Sequence, residues 1–142
     1  MALYEFLSEL SRMKSSSELE KYAQKMKGKK GLYRIRNAYF YSIDGLKAAC
    51  SESGFRQLLV LHSILCLVAV LFIPNIAVKM LLIFASFFSL IVELINTAVE
   101  AAVDHTSLEK HPLAKRAKDV VSAAQFISLG LCALLWLIAL IG

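Results

Sequence analysis

Glu93, Asn96, Glu100 and Asp104 stand in the run Ile91-Val-Glu-Leu-Ile-Asn-Thr-Ala-Val-Glu-Ala-Ala-Val-Asp104, inside an otherwise apolar stretch from Val78 to Val103. At about 100° per residue the three carboxylates fall within roughly 40° of one line on a helix, with Asn96 about 60° to one side. An acidic side chain near the bilayer centre costs about 2.5–3.5 kcal/mol on insertion scales. A stripe of them therefore needs a partner on the same face, either a metal ion or a basic side chain. Such a set can neutralise phosphate through a shared cation, and a carboxylate within reach of an alcohol can accept its proton.

Other routes to chemistry are closed. The chain has neither Gly-x-x-x-x-Gly-Lys-Ser/Thr nor Gly-x-Gly-x-x-Gly, so a soluble nucleotide-binding fold is excluded and charged side chains would have to hold any nucleotide. Cys50, Cys66 and Cys132 have no spacing that suggests a zinc site or a disulfide framework.

The elements that must carry the stripe are membrane spans. The chain has 142 residues, of which 58% are hydrophobic, and its mean hydropathy is +0.61. Three stretches reach the roughly 20 apolar residues a span needs: about 55–73, 78–103 and 120–141. Pro74-Asn75 makes a tight connection between the first two. The fold expected is all-α, a three-span transmembrane helical bundle with N-terminal amphipathic surface helices. Residues 1–31 form a basic amphipathic extension and 32–142 the membrane domain.

Charge orients the bundle. Eleven of the sixteen Lys and Arg residues precede or open the first span, four lie between the second and third spans, and Lys79 alone faces the other side. The bias puts the N-terminus in the cytoplasm and the C-terminus outside. The net charge of +5 suits anionic lipid headgroups and not nucleic acid. No signal peptide is visible in the first twenty residues.

Leu3, Phe6, Leu7, Leu10 and Met13 repeat at helical spacing, and Ser17 with Glu20 matches a capping box. Leu32 to Cys50 is a second amphipathic segment of basic and aromatic character, broken at Ser51-Glu52-Ser53-Gly54. His111-Pro112 is expected to start the third spanning helix. His62, Gln125 and Ser128 are expected to hydrogen-bond between helices.

The run from Glu93 to Asp104, followed by His111-Pro-Leu-Ala-Lys-Arg-Ala-Lys-Asp119 and Ser122-Ala-Ala124, resembles the prokaryotic diacylglycerol kinase family of small integral-membrane lipid kinases. Arg36-Asn37-Ala38, Tyr41-Ser42, Gly45-Leu46-Lys47-Ala48, and Glu52 with Phe55-Arg56 fit the same pattern. The likeness runs in order over about residues 32–142. It implies transfer of the γ-phosphoryl group of ATP to a lipid hydroxyl, in a homotrimer with sites shared between subunits, at the bacterial inner membrane.

The resemblance also implies residue roles. Glu93 matches the catalytic base at the lipid hydroxyl, and Glu52 and Glu100 the ligands of Mg2+ or another divalent cation. Arg34, Tyr41, Glu52, Glu100, Glu109, His111, Lys118 and Asp119 match nucleotide-binding positions. Arg34, Ala38, Ser42, Arg56, Gln57, Glu93, Asn96 and Ser122 match positions at the lipid acceptor. Phe55-Arg-Gln57 and Ser122-Ala-Ala124 lean toward diacylglycerol as acceptor, giving phosphatidic acid, with undecaprenol as the alternative. A Glu-dependent membrane transporter is the reading from another class.

The chemistry agrees without that carry-over. Phosphoryl transfer asks for charge neutralisation and alignment more than for covalent help. Magnesium keeps phosphate oxygens and waters, so two glutamates from different helices suffice. Glu93 lies about 10 Å of helical rise deeper than Glu100, which suits it to meet a lipid while Glu100 meets a metal. Lys118 offers a cation for the polyphosphate, and Asn96 can fix a carboxylate by hydrogen bonding.

Overall fold

In the computed structural model, which describes residues 20, 32–106 and 111–141, every element is a helix: α1 (Leu32–Ser51), α2 (Ser53–Phe72), α3 (Ile76–Thr106) and α4 (Pro112–Ile141). Three of them, α2, α3 and α4, are long and apolar enough to cross a membrane. The surface helices expected within residues 1–31 lie outside the described residues, apart from Glu20. The chain divides into two compact units, Met1–Asp44 and Gly45–Gly142, with the division inside α1.

Within the first unit α1 carries aromatic and basic side chains in the open. Ile35, Tyr39, Phe40 and Tyr41 are all exposed, the Arg36 guanidinium lies 5.6 Å from the centroid of the Phe40 ring, and Tyr39 meets Phe40 edge-on. Aromatic rings and guanidinium groups together are stable in a headgroup layer.

Local chemistry sets the helix ends in the second unit. The chain leaves α1 at Glu52, whose backbone is extended (φ −78°, ψ 134°), and re-enters a helix at Ser53. Of the four-residue break expected at 51–54, only Glu52 departs from helical geometry, because Ser53 and Gly54 already form the first turn of α2. At the far end Asn75 accepts from the backbone N–H groups of Ala77 (3.0 Å) and Val78 (3.2 Å), and so caps α3. Lys79 reaches back to the Val70 carbonyl at 3.0 Å, where it satisfies an orphan acceptor of the last turn of α2. Pro74-Asn75 is thus the tight connection the sequence predicts.

The third span extends further than hydropathy suggests. The apolar zone is predicted from about 120, and the helix that carries it begins at Pro112, as His111-Pro112 predicts, with the charged segment Lys115–Asp119 continuing it out of that zone. His111 opens it: its ring Nδ1 accepts from Leu113 N–H at 3.2 Å and its carbonyl from Lys115 N–H at 3.0 Å, with proline in the first helical position.

Helix α3 is the central element, packing on α4 along one side and on α2 along another. Its inward face holds Leu82, Ala85, Ser86, Ser89 and Glu93, all buried. Small residues on this face and on its neighbours, among them Ala69 and Ser128, let helices approach closely where lipid gives no hydrophobic drive. Gln125 Nε2 donates to Ser89 Oγ at 3.2 Å, and the Ser128 hydroxyl lies 3.3 Å from the same oxygen, so α3 and α4 are joined by hydrogen bonds as predicted. Phe84, Phe87, Ile91 and Ile95 of α3 point outward and are exposed.

Candidate functional site

The acidic stripe begins in the interior. Glu93 is 8% exposed. Its Oε1 comes against the first turn of α2, 3.2 Å from the position a Cβ on Gly54 would occupy. A Cβ there would require the end of the glutamate to shift by a few tenths of an ångström, so glycine lets the carboxylate rest at its present place. The first backbone N–H groups of any helix lack intrahelical acceptors and carry the positive end of its dipole. A carboxylate packed on the first turn of α2 therefore sits in a favourable field.

Glu52 is the N-cap residue of this same helix, but its carboxylate makes no capping hydrogen bond and is exposed. The segment around it is tied by Arg56, whose Nη1 donates to the carbonyls of Cys50 (3.1 Å) and Ser51 (2.7 Å). A guanidinium on the last carbonyls of α1 complements the negative end of that helix. Arg56 thereby clamps both sides of the Glu52 break. The sequence matched it to the lipid acceptor, and here Nη1 is committed to the backbone.

Along α3 the stripe continues through Asn96 and Glu100, both half-buried, to the exposed Asp104. Asn96 Oδ1 is buried and has no hydrogen-bond partner among the described residues. Glu100 follows Glu93 by seven residues, about 10 Å of rise on the same face. At the end of the stripe Lys118 Nζ binds Asp104 Oδ1 at 2.6 Å. Helix α4 thus supplies a basic partner at the exposed end of the stripe and not at its buried end.

The remaining assigned positions are distributed as follows. Asp119 pairs with Lys115 at 2.8 Å, one turn away on the exposed face of α4. Ser122 and Gln57 are exposed, and His111 holds the start of α4. Arg34, Ala38, Tyr41 and Ser42 lie on α1 in the first unit, all exposed, with the Ser42 hydroxyl donating to the Ala38 carbonyl at 2.9 Å. Glu109 lies outside the described residues.

Two contributions were not foreseen. Gly54 carries no chemistry of its own, and its signal in the sequence was only that of a small residue just after Glu52-Ser53. Asp104 was seen as part of the stripe but without a partner. One expectation fails: His62 is buried, yet neither ring nitrogen has a hydrogen-bond partner among the described residues, so it is not an interhelical hydrogen-bonder within this chain. His62 lines a gap beside α4 together with Leu129, Cys132 and Trp136.

Among the described residues no three His, Cys, Asp or Glu side chains gather closely enough to hold a metal on their own. A half-buried Glu100 and an exposed, uncapped Glu52 fit a cation that takes one or two carboxylates and completes its shell with phosphate oxygens and water, which is the habit of Mg2+.

The sequence matches the family model described as prokaryotic diacylglycerol kinase over residues 40–140. It is 47% identical over 117 residues to a diacylglycerol kinase of Pseudomonas aeruginosa, covering 82% of this chain and 95% of that protein. A Helicobacter pylori diacylglycerol kinase is 48% identical over 109 residues, covering 75% of this chain and 84% of its own length. A diacylglycerol kinase of Escherichia coli is 38% identical over 111 residues, or 78% and 91% of the two chains.

Proposed function

This chain belongs to the prokaryotic diacylglycerol kinase family, and we propose that it phosphorylates diacylglycerol to phosphatidic acid with Glu93 as general base and Glu52 and Glu100 as ligands of a divalent cation. The protein is an integral-membrane, ATP-dependent lipid kinase. The observation that supports the base assignment is the burial of the Glu93 carboxylate against the bare first turn of α2, beside the Glu52 N-cap.

In the proposed reaction the diacylglycerol hydroxyl approaches Glu93 from the bilayer. Glu93 accepts its proton as the oxygen attacks the γ-phosphorus of ATP, the bond from that phosphorus to the β,γ-bridging oxygen breaks, and ADP leaves. A bound Mg2+ would neutralise phosphate charge. Glu52 and Glu100 are the carboxylates suited to hold it, Lys118 adds a cation for the polyphosphate, and Asn96 orients a neighbouring carboxylate. Burial excludes bulk water from Glu93, so the proton acceptor stays available to the lipid.

Residues 32–142 are the proposed kinase domain, with Arg34, Ala38, Tyr41, Ser42, Glu109, His111, Asp119, Arg56, Gln57 and Ser122 around nucleotide and acceptor. The same reading places the protein in the inner membrane, and the charge bias supports an N-terminus in the cytoplasm, where ATP is present. A homotrimer with shared sites belongs to the same reading. The transporter reading gains no support from the relatives.

The test is phosphoryl transfer from ATP-Mg by the purified protein in mixed micelles, with diacylglycerol, undecaprenol and ceramide offered under identical conditions. Diacylglycerol should be preferred, and Glu93→Gln should reduce turnover to a small residual rate while leaving ATP binding near that of the parent. A fully active Glu93→Gln protein removes the base assignment, and a preference for undecaprenol changes the acceptor.

A further inference from the structure

Two of the side chains with buried polar atoms that lack partners among the described residues stand at one place in the bundle. His62 is 1% exposed, and neither of its ring nitrogens meets a hydrogen-bonding atom among the described residues. Trp136 Nε1 is likewise buried and unpaired there. Both residues line one cavity of about 360 Å3, walled otherwise by Leu61, Leu65, Leu129, Cys132 and Ala133. The cavity has a simple origin. Helices α2 and α4 each pack on α3 but share no comparable interface with one another, so a gap remains between them.

Its depth separates it from the acidic stripe. His62 stands eight residues beyond Gly54 on α2, about 12 Å further along the helix. Acyl chains filling the gap would offer nothing to either ring. An indole N–H can only donate, whereas a neutral imidazole has one donor and one acceptor nitrogen. A hydroxyl answers both, because its oxygen accepts from an N–H and its proton goes to an unprotonated ring nitrogen. No charged side chain lines the cavity, so an ionic headgroup would be left without a counter-charge. The volume falls at the lower end of small-molecule sites, which run from about 300 to 1,000 Å3.

We propose that the cavity between α2 and α4 binds a neutral, membrane-dissolved alcohol, with its apolar body against the leucines and its hydroxyl on His62 and Trp136. The site is separate from the reacting groups, and the proposal does not depend on their assignment.

Trp136 is the only tryptophan of the chain, so its emission reports on the cavity wall without a label. The full-length protein in mixed micelles is titrated with a terminally brominated dodecanol and, separately, with bromododecane, bromine being the quencher. The alcohol should quench saturably and at roughly fivefold lower concentration than the alkane, as one hydrogen bond of ordinary strength would give. His62→Leu should bring the alcohol to the level of the alkane while phosphoryl transfer stays within about twofold of the parent, because His62 takes no part in the reaction. His62→Asn, which keeps hydrogen-bonding capacity, should retain the preference and covers the case in which the leucine variant fails to fold. Equal or non-saturating quenching by the two probes, or an alcohol preference that survives in His62→Leu, overturns the proposal and leaves lipid chains or water as the occupant.

Discussion

The Glu93 carboxylate and Gly54 belong to different helices, and Oε1 of the one lies 3.2 Å from where the other would carry a Cβ. The contact joins the interior end of the acidic stripe to the first turn of α2, two residues after Glu52. A methyl group here asks the flexible end of the glutamate to yield by a few tenths of an ångström. A branched side chain asks for more than the end can give. Gly54→Ala should therefore keep most of the turnover, whereas Gly54→Val should lower kcat by about 10²-fold, the scale of a 1 Å misplacement of a reacting group. The KM for ATP should stay within about twofold, since the distortion falls on the acceptor side. Steady-state kinetics in mixed micelles separate the two parameters. An unimpaired Gly54→Val enzyme would show that the approach of Glu93 to α2 is immaterial.

The sequence exposed the spans and the stripe because both are periodic. Apolar length marks α2, α3 and α4, and the seven-residue interval from Glu93 to Glu100 marks one face. Hydropathy finds where the apolar zone of the third span begins, near 120, whereas the start of its helix was legible in His111-Pro112, where α4 does begin. Ser51-Glu52-Ser53-Gly54 looked like a four-residue break, yet Glu52 alone leaves helical geometry, and Arg56 bonds to the last carbonyls of α1 across it. The approach of Gly54 to Glu93 and the isolation of His62 depend on how three helices are rotated about their axes. No single-helix pattern contains that information.

Lys118 and Asp104 link α4 to the end of the stripe at 2.6 Å, with side chains 36% and 54% exposed. Partial exposure limits the worth of such a pair to about 0–1 kcal/mol. Asp104→Asn should therefore lower stability by no more than about 1 kcal/mol in a denaturation series. If Lys118 serves the polyphosphate, Lys118→Met should raise the KM for ATP-Mg roughly tenfold, the effect of losing a charge-assisted contact of about 1.4 kcal/mol. Asp104→Asn should move that KM by less than about threefold. Equal effects of the two substitutions on KM would mean that the lysine acts only through its partner.

The Gln125–Ser89–Ser128 set lies wholly in the interior, and its hydrogen bonds run among its own members. Polar contacts between membrane helices contribute about 0.6 kcal/mol on average and up to about 1.7. Gln125→Leu should destabilise the α3–α4 pair by an amount in that range, read from unfolding in mixed detergent. Activity in the folded fraction should be unchanged. A loss of turnover larger than the loss of folded protein would point to a role for this set beyond packing.

Metal dependence distinguishes the three glutamates. Glu93 is buried against Gly54, Glu100 is half-buried one heptad along the same face, and Glu52 is exposed with no capping duty. If the last two hold the cation, Glu52→Gln and Glu100→Gln each remove one of the two carboxylates the protein offers. Each should then raise the Mg2+ concentration for half-maximal rate by roughly tenfold or more. A glutamine at Glu93 removes a proton acceptor and leaves those ligands in place. Its residual activity should therefore keep the parent's Mg2+ midpoint, however small the rate becomes. Titrating Mg2+ at fixed ATP, with the metal-bound nucleotide held saturating, reads the midpoints directly. A shifted midpoint in the Glu93 variant, with parental midpoints at Glu52 and Glu100, would exchange the roles of base and ligand along α3.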